Sequence, residues 1–365
     1  MKSWAVFFCG VLMPFLPAAA QDSAVVARGW QASLHYGSVI AHSNAVANTR
    51  DARPVGIELV KWRQQRGQSA FDICNCYPRS GWMLSYYHFN NRVLGQGAMA
   101  AYLLEPQYRL GSRLHFSMRG AAGLAWGSNP YNAITNPDNQ SYSTAIGAYL
   151  LYGLGLQYQI NSQWSLQVAG NFQHISNGGL RQPNKGINWP TAQLGLLYSS
   201  QPVAYYRGAR QNDPTLWRGK PWRKDIAVFG MAKRYVNPNG SSSRYPLGGI
   251  MLQGSKQVGR TNAVTIGTEW SADQGLQRRL DADTTTEGNS IRGGLLVGHE
   301  FLLGRFIFSQ RIGVYVYQPN PYYDGWYHRW GLQYRFARQW WAGFNLKAHR
   351  HVADFVDLRL VYSWQ

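Results

Sequence analysis

Apolar and polar residues alternate with a period of two along most of the chain, as expected of strands that carry one apolar and one polar face. Ile146, Ala148, Leu150, Tyr152, Leu154, Leu156, Tyr158 and Ile160 share one face, opposite Gly147, Gly153, Gly155, Gln157 and Gln159. Leu114, Phe116, Met118 and Leu124 oppose His115, Ser117 and Arg119. The pattern predicts strands at about 30–40, 54–63, 82–89, 96–109, 114–126, 142–160, 164–176 and 191–205. A second set is predicted at about 225–236, 244–258, 261–272, 290–303, 305–318, 326–337, 340–349 and 354–364. No convincing amphipathic helix interrupts them. The last strand sets Leu358, Leu360, Tyr362 and Trp364 against Asp357, Arg359 and Ser363, an aromatic end similar to the closing strand of outer-membrane barrels.

This series predicts an all-β fold, an antiparallel transmembrane β-barrel of about 16 strands, with tandem eight-stranded barrels as the alternative. An even count with both termini in the periplasm makes odd strands run outward. Short connections at Asn161-Ser162, Gly259-Arg260, Leu303-Gly304 and Arg338-Gln339 then fall on the periplasmic side. Longer loops at 127–141, 177–190 and 273–289 fall on the outer side, as bacterial barrels prefer. Two long periplasmic connections, 64–81 and 206–224, are exceptions. The second carries Arg207, Arg210, Arg218, Lys220, Arg223 and Lys224 against Asp213, and reads either as a linker between halves or as a partial plug of the lumen. The organisation expected is a signal peptide at 1–20, barrel strands at 21–205, a basic connection at 206–224 and further barrel strands at 225–365.

Composition agrees with a barrel. Mean hydropathy is slightly negative, which excludes a helical membrane protein but not a barrel, whose lumen-facing residues are polar. The 15 Trp and 23 Tyr suit interfacial girdles. At the start, Lys2, the apolar run Trp4–Leu16 and Ala18-Ala19-Ala20 have the order of a cleaved secretory signal. The apolar run is too short for a membrane helix. Cys9 would leave with it, so Cys74 and Cys76 remain, as a small disulfide ring or as a loop feature of unknown purpose. The formal charge of +19 in an exported chain argues against nucleic acid. It fits lipopolysaccharide phosphates, or arginines that simply line a polar lumen.

One stretch breaks the alternation in kind. His174 and Ser176 stand two residues apart, in phase with Trp164, Leu166, Val168 and Phe172 on an apolar face. A Ser hydroxyl becomes a useful nucleophile when a base takes its proton, and His is the usual base. Under the parity above, the strand at 164–176 runs outward, so both side chains meet lipid near the outer leaflet. At about 7 Å between their Cα atoms, contact requires the strand to twist or end there, which Asn177-Gly178-Gly179 permits. Such spacing is more often incidental. No Walker loop, dinucleotide fingerprint, Gly-x-Ser-x-Gly elbow or zinc signature occurs.

The longer string His174-Ile175-Ser176-Asn177-Gly178-Gly179-Leu180-Arg181-Gln182-Pro183-Asn184-Lys185-Gly186-Ile187 resembles the signature of PagL-type lipid A 3-O-deacylases, also called acyloxyacyl hydrolase-like proteins. The match is close over these residues and looser over the strands from about 25 to 205. Residues 206–365 lie outside the minimal eight-stranded form. The resemblance implies an outer-membrane esterase that removes an ester-linked acyl chain from lipid A without metal or cofactor, with Ser176 as nucleophile, His174 as base and Asn177 at the oxyanion. It implies lipopolysaccharide as partner and allows a homodimer. The family's third triad member is a Glu, and that position is Asn188 here. Asn can orient an imidazole but cannot offset its charge. Three readings stay open: a slower triad using Asn188, a carboxylate from elsewhere, or a non-catalytic barrel (a pore, a lipopolysaccharide binder or a structural protein). His349 and Asp354 form a second His–carboxylate cluster near the predicted outer rim, with His349 expected to face the lumen and Asp354 of outward parity but in a turn.

Overall fold

Sixteen strands form, as the alternation predicts, but they close twice rather than once. The computed structural model describes residues 25–178, 181–210, 212–236, 242–283, 287–320, 322–350 and 352–365. The expected signal peptide, with Cys9, lies outside the described residues, as do Gly179 and Leu180 of the motif.

The first eight strands are β1 (Val26–Gly37), β2 (Val55–Gln65), β3 (Tyr77–His88), β4 (Gln96–Arg109), β5 (Leu114–Gly127), β6 (Ile146–Gln159), β7 (Trp164–Ser176) and β8 (Ile187–Gln201). Each pairs antiparallel with the next, and β8 returns to pair with β1. The second eight are β9 (Arg223–Val236), β10 (Ser242–Gln257), β11 (Asn262–Asp273), β12 (Ile291–Leu303), β13 (Phe306–Tyr317), β14 (Trp326–Arg335), β15 (Trp340–His349) and β16 (Val352–Trp364). They close through β16 and β9. The single sixteen-stranded barrel is therefore corrected to the tandem alternative. Residues 202–222 carry Pro202, Pro214 and Pro221 and no alternation, and none of the described residues among them carries a ladder from β8 to β9.

Among the described residues, a 3₁₀ helix (Asn44–Thr49) and three short α-helices occupy connections that the alternation left open: α1 (Gln68–Cys74), α2 (Thr215–Arg218) and α3 (Gln274–Ala282). The Asp273 carboxylate caps α3 by accepting from Leu276 N–H at 3.0 Å. No helix among the described residues is long and apolar enough to cross a membrane. Cys74 and Cys76 form a disulfide at the end of α1. The connection after β8 fills one end of the first barrel. Arg66 donates to the Val203 carbonyl at 2.7 Å, Tyr77 O–H donates to the Tyr206 carbonyl at 2.6 Å, and the Tyr205 ring lies 4.1 Å under the Arg66 guanidinium. Burial holds the Tyr205 hydroxyl above its ordinary pKa. Val203, Tyr205 and Tyr206 thus pack on the first barrel just ahead of and at the start of the basic segment, whose described residues beyond them are mostly exposed.

Both interiors are filled, as expected for eight strands, whose lumen is just wide enough for side chains. In the first, Arg79 pairs with Glu105 at 2.5 Å and Arg119 with Glu58 at 2.8 Å, and Gln31, Gln167, Gln193 and Asn171 join these pairs. In the second, Glu269 accepts from Arg329 and Lys347, and Arg329 also binds Asp357. These cations are matched by carboxylates, so the excess of positive charge lies outside these pairs. Packing of this kind counts against the pore alternative. Glu269→Leu would leave two buried cations without their shared carboxylate. It is expected to lower stability by about 3–5 kcal/mol, read as a shift of the unfolding midpoint of the reconstituted protein in urea.

The outer faces are mainly apolar, with charged residues such as Arg28, Lys61 and Arg63 at outward positions of β1 and β2. Leu34, Trp82, Val228 and Leu358 are all more than half exposed, whereas Asp357 and Arg359 beside Leu358 are buried inside. The expected parity of the last strand holds. His349 faces the lumen as expected, but the Asp354 carboxylate also lies inside, bound by Lys233 and Arg292. A register shift at Lys347/Ala348 between β15 and β16 turns it inward.

Candidate active site

Register places the chemistry. β7 pairs with β6 on one side, setting His174 opposite Leu150 and Ser176 opposite Ala148. On the other side His174 faces Asn188 of β8 directly. The alternation put Asn188 in a loop before a strand starting near 191; in the structure β8 begins at Ile187, and Asn188 is a cross-strand neighbour. All three outward positions are half-buried rather than fully exposed, between the buried Ile175, Ile187 and Trp189.

His174 Nδ1–H donates to Asn188 Oδ1 at 2.6 Å. This bond leaves Nε2 as the free, proton-accepting nitrogen. Asn188 Nδ2–H in turn donates to His42 Nδ1 at 3.2 Å. Ser176 stands on the same face, and among the described residues its hydroxyl makes no hydrogen bond to His174. A shallow depression of about 10 Å³, room for roughly one water, adjoins Ser176 and is lined by Gly147, Thr144, Tyr142, Ile175 and Asn177. Asn177 points the other way. Its side chain is buried and donates to the Arg181 carbonyl at 2.8 Å and to Ser143 Oγ at 3.3 Å, while its N–H donates to Asn184 Oδ1 at 3.0 Å.

The loop after β7 is fixed to the loop before β6. Lys185 N–H donates to the Gln140 carbonyl at 3.0 Å, Gly186 N–H to the Ser141 carbonyl at 2.7 Å, and Ser143 Oγ to the Arg181 carbonyl at 3.0 Å. Tyr142 anchors that support by donating to the Leu94 carbonyl, and burial pushes its hydroxyl up to about 12. Gly186 has φ +77°, and a Cβ there would sit 2.8 Å from His174 Cε1. The glycine is therefore the floor under the imidazole. Gly186→Ala is expected to tilt His174 and lower turnover by about 10- to 100-fold while the barrel still folds. Turnover set beside the heat-induced gel shift of the barrel checks this.

The substitute carboxylate receives no support. Among the described residues the histidine–carboxylate ion pairs are His35–Glu58 and His349–Asp354, both inside barrels, and no Asp or Glu lies within ion-pair distance of His174. Sequence reading missed His42, which sits 146 residues before Asn188 in a segment that extends β1. Only the pairing of first strand with last would have brought it into view.

Family models for "Lipid A 3-O-deacylase (PagL)" and "Acyloxyacyl hydrolase, C-terminal domain" match residues 77–196 and 222–365, together more than half of the chain. The chain belongs to the PagL family. The second barrel, which the motif resemblance left outside, is thus covered by a family model of its own. No curated protein matches the chain. Among solved structures, the outer membrane enzyme PagL is 18% identical, with a TM-score of 0.34, over 45% of this chain and 97% of that one. Neisserial surface protein A is 10% identical, with a TM-score of 0.32, over 48% of this chain and 97% of that one. The attachment invasion locus protein Ail of Yersinia pestis is 11% identical, with a TM-score of 0.27, over 48% and 97%. For this PagL family member, the chemistry must be argued from its own residues.

Proposed function

We propose that this protein is an outer-membrane esterase that removes an ester-linked acyl chain from lipid A. The observation that carries the reading is the 2.6 Å bond from His174 Nδ1–H to Asn188 Oδ1 on an apolar outer face, in a chain of the lipid A deacylase family. The apolar faces of both barrels lie in the bilayer, and the outer ends of β7 and β8 meet the outer leaflet, where lipid A is found. The N-terminal segment is the export signal.

Ser176 Oγ attacks the ester carbonyl as His174 Nε2 takes its proton. To donate to the tetrahedral oxyanion, the Asn177 side chain must turn out of its buried position and release both Ser143 Oγ and the Arg181 carbonyl. The C–O bond to the sugar breaks, and His174 gives its proton to the departing sugar oxygen. Water then attacks acyl-Ser176 with His174 again as base, releasing the fatty acid and restoring Ser176. Asn188 keeps the imidazole in the Nδ1–H tautomer throughout.

Mass spectrometry of lipid A tests the reading. Lipid A from a Gram-negative host expressing the inserted protein is expected to lose the mass of one hydroxyacyl chain. Lipid A that retains every chain beside a correctly inserted protein would overturn it for this substrate. A second reading, a barrel that binds lipopolysaccharide without cleaving it, draws on Asn188 in place of the family's Glu.

A further inference from the structure

An asparagine in a triad has an ambiguity that a carboxylate lacks. Its oxygen can face the imidazole and accept, or its NH₂ can face the imidazole and force the wrong tautomer. The second arrangement explains why an Asp-to-Asn change in a serine protease costs about ten-thousand-fold while geometry is kept. We propose that His42 is a positioning residue that resolves this ambiguity: by accepting from Asn188 Nδ2, it holds Asn188 Oδ1 toward His174. The proposal rests on the deacylase reading for its consequence, but not for its geometry.

Three observations carry it. His42, Asn188 and His174 form a row across three adjacent backbone segments, with contacts of 3.2 Å and 2.6 Å. The segment holding His42 is tied to the strand holding Asn188: Ile40 N–H donates to the Asn188 carbonyl at 2.8 Å and Ser38 N–H to the Pro190 carbonyl at 3.2 Å. The turn that follows is also held, since Asn91 Nδ2 donates to the Asn48 carbonyl and Asn48 Nδ2 to the Asp138 carbonyl, each at 3.0 Å. His42 is therefore placed by its backbone and has only its ring to adjust.

The hydrogen count fixes the protonation pattern of the row. Asn188 donates through Nδ2 and accepts through Oδ1, so His42 must present a bare Nδ1 and carry its proton on Nε2. His174 must carry its proton on Nδ1. The Ile40 carbonyl lies 3.4 Å from His42 Nδ1 and would compete only for a ring protonated at that nitrogen. Such a ring could not accept from Asn188, and the amide would lose its reason to keep Oδ1 toward His174. A glutamate at position 188 would accept on either oxygen and would need no such partner. His42 thus compensates for the residue in which this chain departs from its family's triad.

The test uses the full-length protein in detergent micelles, with ¹⁵N-labelled histidine. Side-chain ¹⁵N shifts are expected to show His42 protonated on Nε2 and His174 on Nδ1. In His42→Leu, the His174 signal should move toward a mixture of tautomers, and lipid A deacylation should fall by about 10- to 100-fold. His42→Gln, whose carbonyl can still accept from Asn188 Nδ2, should restore the His174 signal and most of the rate. In an Asn188→Asp background the His42→Leu change should no longer matter, so the two substitutions should be strongly non-additive. A His42 found protonated on Nδ1, or a His174 tautomer unmoved by His42→Leu, would overturn the proposal. A wild-type protein with the expected tautomers but no deacylation would overturn the enzymatic reading and leave the positioning role standing. The heat-induced gel shift of each variant confirms that the barrel is formed.

Discussion

Replacing Ser176 by alanine is expected to leave a folded barrel that removes no acyl chain from lipid A. The side chain is half-buried on the outer face of β7, and the described residues make no hydrogen bond to its hydroxyl, so the fold loses little with it. A substitution of that kind changes stability by about 0.5 kcal/mol or less. Activity should respond very differently. When a nucleophile and its base act as one unit, removing either costs nearly as much as removing both, and the fall should exceed about a thousand-fold. His174→Ala should therefore match Ser176→Ala, and the double substitution should be hardly worse. Two measurements separate chemistry from binding. Deacylation is followed by mass spectrometry of lipid A, and labelling by an alkyl phosphonate, which needs a reactive serine, is followed by intact mass. Loss of both with the gel shift intact identifies Ser176 as the nucleophile. Turnover that survives in Ser176→Ala would place the nucleophile elsewhere.

Local periodicity carried much of the fold into the sequence. Side chains of a strand choose faces by parity alone, so Leu358 and Trp364 could be sent outward, and Asp357 and Arg359 inward, without knowing any neighbour. Closure is different in kind. Whether β8 pairs with β9 or returns to β1 depends on partners more than 150 residues apart, and alternation is the same in either case. The same gap hid His42, which meets Asn188 only because the first strand neighbours the eighth. Asn188 itself was misplaced for a smaller reason. Gly186, Asn188 and Pro190 read as loop residues, yet Ile187 and Trp189 bury their side chains in the lumen and draw the backbone between them into the ladder. The paired charges of the interior could be anticipated as a polar lumen, but not their partners. Glu269 finds Arg329 and Lys347 from β14 and β15, across the barrel rather than along it.

Asn188→Glu should raise turnover, and the size of the gain separates the two tasks of a triad acid. One task is orientation, which the amide already performs through its 2.6 Å bond to His174. The other is to offset the positive charge that develops on the imidazole, which an amide cannot do. Removal of both tasks together accounts for about ten-thousand-fold in a serine protease. Since orientation is retained here, restoring the charge alone should give a smaller gain, about 10- to 100-fold. Length works against the glutamate. Position 188 lies directly opposite His174, and one more methylene at a contact already at 2.6 Å obliges the side chain to bend back toward Asn188's other neighbour, His42. Asn188→Asp keeps the length, supplies the charge and serves as the isosteric control. Values of kcat/KM on lipid A, measured for the wild type and both variants, decide the matter. A gain in Asn188→Asp that exceeds the gain in Asn188→Glu would show that the pocket has adapted to the shorter side chain. No gain in either would mean that charge at this position does not limit the reaction, and the account of Asn188 as a weakened triad member would fail.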